Sequence, residues 1–164
     1  MHDPSNKFIS IRGLAVALTA VGLCVRILPA AVPFYFGIWK IASAVVAPWA
    51  GAAPPDPSEM KSLVGKTVAI ESKEIAGRGT LACKGPVYRV KYYPPDWLFQ
   101  GAFAEMHVRG NAADAAELAG KLGFHGSSWK TLETGCANGI DFHFMEAATA
   151  AIGLNDYVYT LKKR

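Results

Sequence analysis

Three residues near the C-terminal end are of the types that thiol chemistry uses: the stretch LETGCANGIDFHF holds Cys136, Asp141 and His143. A cysteine with an imidazole in reach becomes a thiolate nucleophile, and a carboxylate can then orient the ring. Asn138-Gly139 between them is the strongest short hairpin signal, because both central positions of a type I′ turn need positive φ. A two-residue loop there pairs Ala137 with Ile140, Cys136 with Asp141 and Thr134 with His143. Ile140, Phe142 and Phe144 then share one face of the hairpin, and Cys136, Asp141 and His143 share the other. Read this way the residues describe a small envelope hydrolase or thiol enzyme. Side chains on neighbouring strand positions diverge, however, and the sequence around Cys136 offers no glycine-rich oxyanion turn.

The cysteine count favours a different use of the same sulfur. Cys24 falls in an apolar N-terminal run, which leaves Cys83 and Cys136 as an even pair in the remainder. Two thiols in an exported domain pair as a disulfide. Closing a loop of about 50 residues stabilises a fold by roughly 4 kcal/mol on the chain-entropy model. A bridged Cys136 is no nucleophile.

Other chemistries find less support. His107, His125 and His143 come from three separate segments, without the i, i+4 or C-x-x-C spacing of a zinc site, so no metal is expected. Gly77, Gly79 and Gly85 do not compose a phosphate loop, the acids show no paired spacing, and no cofactor motif occurs. One patch stands out as a binding candidate. YYPPDWLFQGAF gathers Tyr92, Tyr93, Trp97, Phe99 and Phe103 around a Pro-Pro turn. Such residues either fold over a sheet and fill the core of a small domain or make a ligand or partner surface. Core filling is the default, with Trp129 able to join, and Tyr92, Tyr93, Trp97 and Phe99 are the candidates for the surface.

The elements that must position these residues begin after an apolar leader. Lys7 and Arg12 precede the thirteen apolar or small residues Gly13 to Val25, the order in which secretory leaders begin. Gly13 to Trp39 could instead cross a membrane as a helix kinked by Pro29 and Pro33, at a cost for Arg26 of about 3 kcal/mol near mid-bilayer. Ala50-Gly51-Ala52 has the small residues a signal peptidase reads. Residues 1–53 are therefore expected to be a leader cleaved near Ala52, an uncleaved anchor, or a shorter leader preceded by residues not normally translated. Residues 54–57 read as a proline-rich linker and 58–164 as an exported domain.

Within that domain, SLVGKTVAIESKEI reads as a strand, and TLACKGPVYRVKYY as a second extended stretch broken near Gly85-Pro86. NAADAAELAGKLGF reads as a helix capped by Asn111, with Ala115, Leu118, Ala119 and Leu122 as its packing stripe. TAAIGL and DYVYTLKK supply two more strands around Asn155-Asp156, although Ala147 to Ala151 could be helical. The expected fold is α+β: a small curved antiparallel sheet, a meander or half-barrel, with one packing helix.

Charge argues against nucleic acid. The net charge of +4 is carried mostly by residues 1–52, where four cations face one acid, leaving thirteen cations against twelve acids in residues 53–164. A nearly neutral domain lacks the electrostatic term that dominates phosphate binding. In outline alone, an exported, disulfide-linked, β-rich domain resembles the periplasmic lysozyme-inhibitor and ligand-binding modules of bacteria. That resemblance implies capture of an envelope protein or small ligand. The expectation is a non-enzymatic exported binding or interaction module, periplasmic or secreted, with a membrane-tethered accessory subunit as an alternative that uses residues 13–39 for attachment.

Overall fold

The computed structural model describes residues 31–108 and 113–164. Strand alternation in the last third organises the sheet. Tyr157, Tyr159 and Leu161 of β9 (Tyr157–Lys163) are buried on one face, as are Ala150 and Ile152 of β8 (Thr149–Leu154) and Phe142 and Phe144 of β7 (Phe142–Glu146). β8 and β9 meet across Asn155-Asp156 in register Leu154 to Tyr157, with Asn155 at φ 49°. Ala147 to Ala151 lead into and form β8, so the helical option is corrected to strand.

Six further strands complete the sheet: β1 (Gly37–Val46), β2 (Thr67–Ile70), β3 (Glu74–Ala76), β4 (Cys83–Lys84), β5 (Arg89–Tyr93) and β6 (Trp129–Glu133). The order is β4-β3-β2-β1-β9-β8-β7-β6-β5, and the pairings are antiparallel. β4 and β5 are adjacent in the chain yet lie at opposite edges. Laid flat, nine strands at about 4.8 Å spacing would put those edges roughly 38 Å apart. The link 85–88 can reach at most about 18 Å between Lys84 and Arg89. The sheet must therefore curl into a half-barrel, and its two edges approach one another along a seam.

The seam is held by side chains. Cys83 on β4 and Cys136 in the β6–β7 connection form a disulfide with Cα atoms 6.1 Å apart and a sequence separation of 53. Tyr88 Oη donates to Glu71 O at 2.7 Å, and Asn138 Nδ2 donates to Thr80 O at 2.6 Å, both across the same gap.

β1 was not expected to belong to this fold. Trp39 and Ile41 are fully buried inside the curl, and β1 pairs with β2 on one side and β9 on the other. Trp39 Nε1 donates to Tyr35 O at 2.9 Å, its ring packs on Phe144 at 5.5 Å, and Lys163 Nζ lies 5.5 Å from the ring centroid. The compact unit runs from Val32 to Arg164, so the boundary read at Ser58 falls inside the fold, and cleavage near Ala52 would detach β1 from between β2 and β9. A span reaching Trp39 is likewise displaced, since Gly37–Trp39 open β1. Residues 1–30, which carry the rest of the leader reading and Cys24, lie outside the described residues. No helix among the described residues is long and apolar enough to cross a membrane.

Among the described residues the α-helices are few and short: α1 (Ser58–Leu63), α2 (Ala102–Val108) and α3 (Ala115–Lys121). The molecule is mostly β, with more than the one helix expected. α1 occupies the front of the stretch read as extended, and Gly65 at φ 85° turns the chain into β2. α3 is capped by Asp114, whose carboxylate accepts from Ala116 N at 2.7 Å; Asn111 lies outside the described residues. Leu118 and Ala119 of α3 pack with Leu98, Phe99, Phe103, Phe124 and Trp129 in a second core on the outer face of the sheet. The inner core is separate and is built on Trp39, Phe142, Ile152 and Tyr159.

Candidate functional site

The β6–β7 connection decides the fate of the three residues that opened the sequence reading. β6 and β7 pair Thr131 with His143 and Leu132 with Phe142, which leaves a connection longer than two residues. Its turn is centred on Ala137-Asn138, closed by Gly139 N to Cys136 O at 2.9 Å. Gly139 carries the positive φ of 66°, and Asn138 Oδ1 accepts from Ile140 N at 3.1 Å. The type I′ hairpin and its register are thus corrected: the Asn138 side chain is used to brace a wider turn. The expected facing of β7 does hold, with Phe142 and Phe144 inward and His143 outward. Cys136 leaves that face and packs at the rim of the inner core, bonded to Cys83. The proposed Cys136, His143 and Asp141 constellation does not form, because the sulfur has no thiol to activate.

His143 has a different occupation. It is fully buried, Phe99 N–H donates to its Nε2 at 3.0 Å, and Thr131 Oγ1 lies 2.8 Å from its Nδ1. Since Nε2 accepts, Nδ1 carries the proton and donates to Thr131. Burial pushes its pKa down to about 3, so the ring is neutral. The bond from Phe99 fixes an unusual piece of backbone. Phe99, Gln100 and Gly101 all lie in the left-handed region, at φ 53°, 58° and 79°. Such conformations cost non-glycine residues about 1–3 kcal/mol and persist only where neighbours over-determine them. The Phe99 ring is wedged 4.9 Å from His143, 5.5 Å from Phe103 and 5.8 Å from Phe124, and it covers Gly153, where a Cβ would come within 3.1 Å of it.

The consequence of the left-handed turn is that Gln100 is exposed beside the half-buried Asp141. Together with Tyr93, Asp96, Trp97, Gly101 and Ala104 they line a groove of about 410 Å³. Trp97 is 60 % exposed and packs edge-on against Tyr93 at 5.6 Å. Burial raises the Asp141 pKa to about 6, with the Glu133 charge adding to it; the Thr134 backbone, the Gln100 side chain and the Lys91 charge pull the other way. Glu133 is held ionised, below its ordinary range, by Lys91 at 2.8 Å and by the Tyr93 hydroxyl, which donates to it. The Tyr93 phenol is pushed up by burial and then by Glu133. Asp141 also borders a second groove of about 430 Å³ with Arg89, Glu133 and Gly135.

No family model, curated protein or solved structure matches the chain. The site therefore rests on its own geometry.

The four binding candidates separate. Phe99 is 2 % exposed and belongs to the outer core with Phe103 and Trp129, Tyr93 is half-buried at the groove wall, and Trp97 is open. Tyr92 is 64 % exposed but points to the opposite face of β5 from Tyr93. Sequence reasoning missed Gln100, Glu133 and Asp96, and it gave Asp141 the wrong companions. Gly101 was the one legible sign of the left-handed turn. His125 is exposed, and the side chain of His107 lies outside the described residues. Among the described residues no three His, Cys, Asp or Glu side chains gather where a metal ion could be held.

Proposed function

We propose that the protein is a non-enzymatic exported binding module whose recognition surface is the groove between Trp97 and Asp141. One observation carries this reading: a large aromatic ring, Trp97, stands 60 % exposed beside the half-buried Asp141 carboxylate, in a groove that the left-handed Gln100 and Gly101 also line. Exposed aromatics next to a few fixed polar groups are the usual composition of binding sites. Export is supported by the cationic-then-apolar order of residues 1–30, with any cleavage falling before Val32 so that β1 is kept. An oxidising compartment is also the condition under which the Cys83–Cys136 clasp closes. The occupant is an envelope protein or a small ligand, and nucleic acid is disfavoured by the near-neutral domain.

Trp97→Ala tests the reading. The expected result is loss of partner capture from envelope extracts with thermal stability within about 1 kcal/mol of wild type, since the ring contributes little burial. A collapse of stability instead would assign Trp97 to the fold.

A further inference from the structure

The groove has a definite sign. Its acidic lining residues are Asp96 and Asp141, the Tyr93 phenol stays neutral, and no Lys or Arg stands among its described lining residues. The cations on the same face are engaged next door: Lys91 Nζ sits on Glu133 at 2.8 Å, and Arg89 lines the adjoining groove with Glu133. The groups that hydrogen-bond Asp141, the Gln100 side chain and the Thr134 backbone, are uncharged. Its carboxylate is thus removed from much of the solvent, and Lys91, the cation whose charge reaches it, is already paired with Glu133. Burying a charge in that state is costly, and an arriving cation relieves the cost.

The aromatic wall selects the kind of cation. Trp97 and Tyr93 present π systems beside the carboxylate. A cation within about 6 Å of such a ring centroid gains about 0.5–2 kcal/mol. A hard metal ion would want six or more oxygen ligands, and this lining supplies few. An ammonium or guanidinium on an alkyl stem satisfies both walls, with its head at Asp141 and its methylenes along Trp97 and Ala104. We propose that the groove binds an organic cation of this class, either a free alkylamine or the side chain of a lysine or arginine. The inference rests on the groove being the recognition surface.

The test uses the full chain and three probes: n-butylamine, its uncharged counterpart n-butanol, and an end-blocked Gly-Lys-Gly peptide. Trp97 fluorescence is the readout, with Trp97→Phe identifying its share of the signal. Saturable binding of the amine or peptide, absent for the alcohol, is expected to weaken about tenfold in Asp141→Asn, which keeps an oxygen for the Thr134 N–H. Tighter binding of the peptide than of the amine assigns the cation to a protein side chain, and equal binding to a free amine. Saturation by the alcohol as strongly as by the amine would overturn the cation preference while leaving the groove a binding site. An amine affinity unchanged in Asp141→Asn, or no saturation by either cation, would overturn the inference and leave the capture experiment on Trp97→Ala to judge the groove by itself.

Discussion

His143 and Asp141 are two residues apart on the outer face of the sheet, and burial moves their protonation in opposite senses. The folded His143 has a pKa near 3 against an ordinary 6.5. As pH falls below 6.5 the unfolded chain gains a proton that the folded chain refuses, so this residue makes stability decline from there down to about 3. Asp141 has a folded value near 6 against 3.8. Its folded form keeps the proton longer, so its contribution is best below 3.8 and is lost as pH rises through about 6. Two substitutions separate the effects. Asp141→Asn should raise stability by about 1 kcal/mol near pH 8 and leave it unchanged near pH 4, as read by chemical denaturation at the two values. His143→Phe should flatten the acid branch yet lower stability near neutrality by about 1–3 kcal/mol, because the Phe99 N–H loses its acceptor. A steep acid branch surviving in His143→Phe would show that another group carries it.

At the scale of elements, the strand that sequence composition hides is an interior one, paired on both sides. GIWKIASAVV lies at the end of a run without acids, and its exposed positions Ile38, Val45 and Val46 are apolar too, so it carries the same signature as a leader. Lys40, exposed between buried Trp39 and Ile41, was the local trace of alternation. β8 and β9 were legible because Asn155-Asp156 separates two alternating runs, and α3 was legible from its Leu118-Ala119 stripe. The β6–β7 register was not. Asn138-Gly139 has the composition of a tight hairpin, but the bond from Asn138 to Thr80 and the disulfide at Cys136 are tertiary, and they widen the turn. The site was partly legible for the same reason: Tyr93, Trp97 and Asp141 were singled out, whereas the left-handed Phe99-Gln100 pair depends on a buried imidazole 44 residues away. A chain beginning at Val32 should therefore fold cooperatively, and one beginning at Ser58 should not, judged by thermal denaturation and amide dispersion. Trp39→Ala should cost about 3–5 kcal/mol, in contrast to the small effect of Trp97→Ala.

For the whole molecule, the question is what closes a sheet whose edges are not joined by a ladder. The four-residue link between β4 and β5 brings the edges together, and the Cys83–Cys136 bond fixes them across the seam. A sulfur so used is withdrawn from chemistry, and the recognition surface we propose is the aromatic groove on the outer face. Loss of the bond, by Cys83→Ala with Cys136→Ala, should destabilise by about 4 kcal/mol while leaving the Trp97 groove intact, since the groove is built on the other core. Non-reducing peptide mapping of the protein recovered without reductant reaches the point most directly. A linked peptide pair containing Cys83 and Cys136, with no titratable thiol between Val32 and Arg164, is the expected result. Two free thiols at those positions would return Cys136 to the chemistry from which this structure removes it.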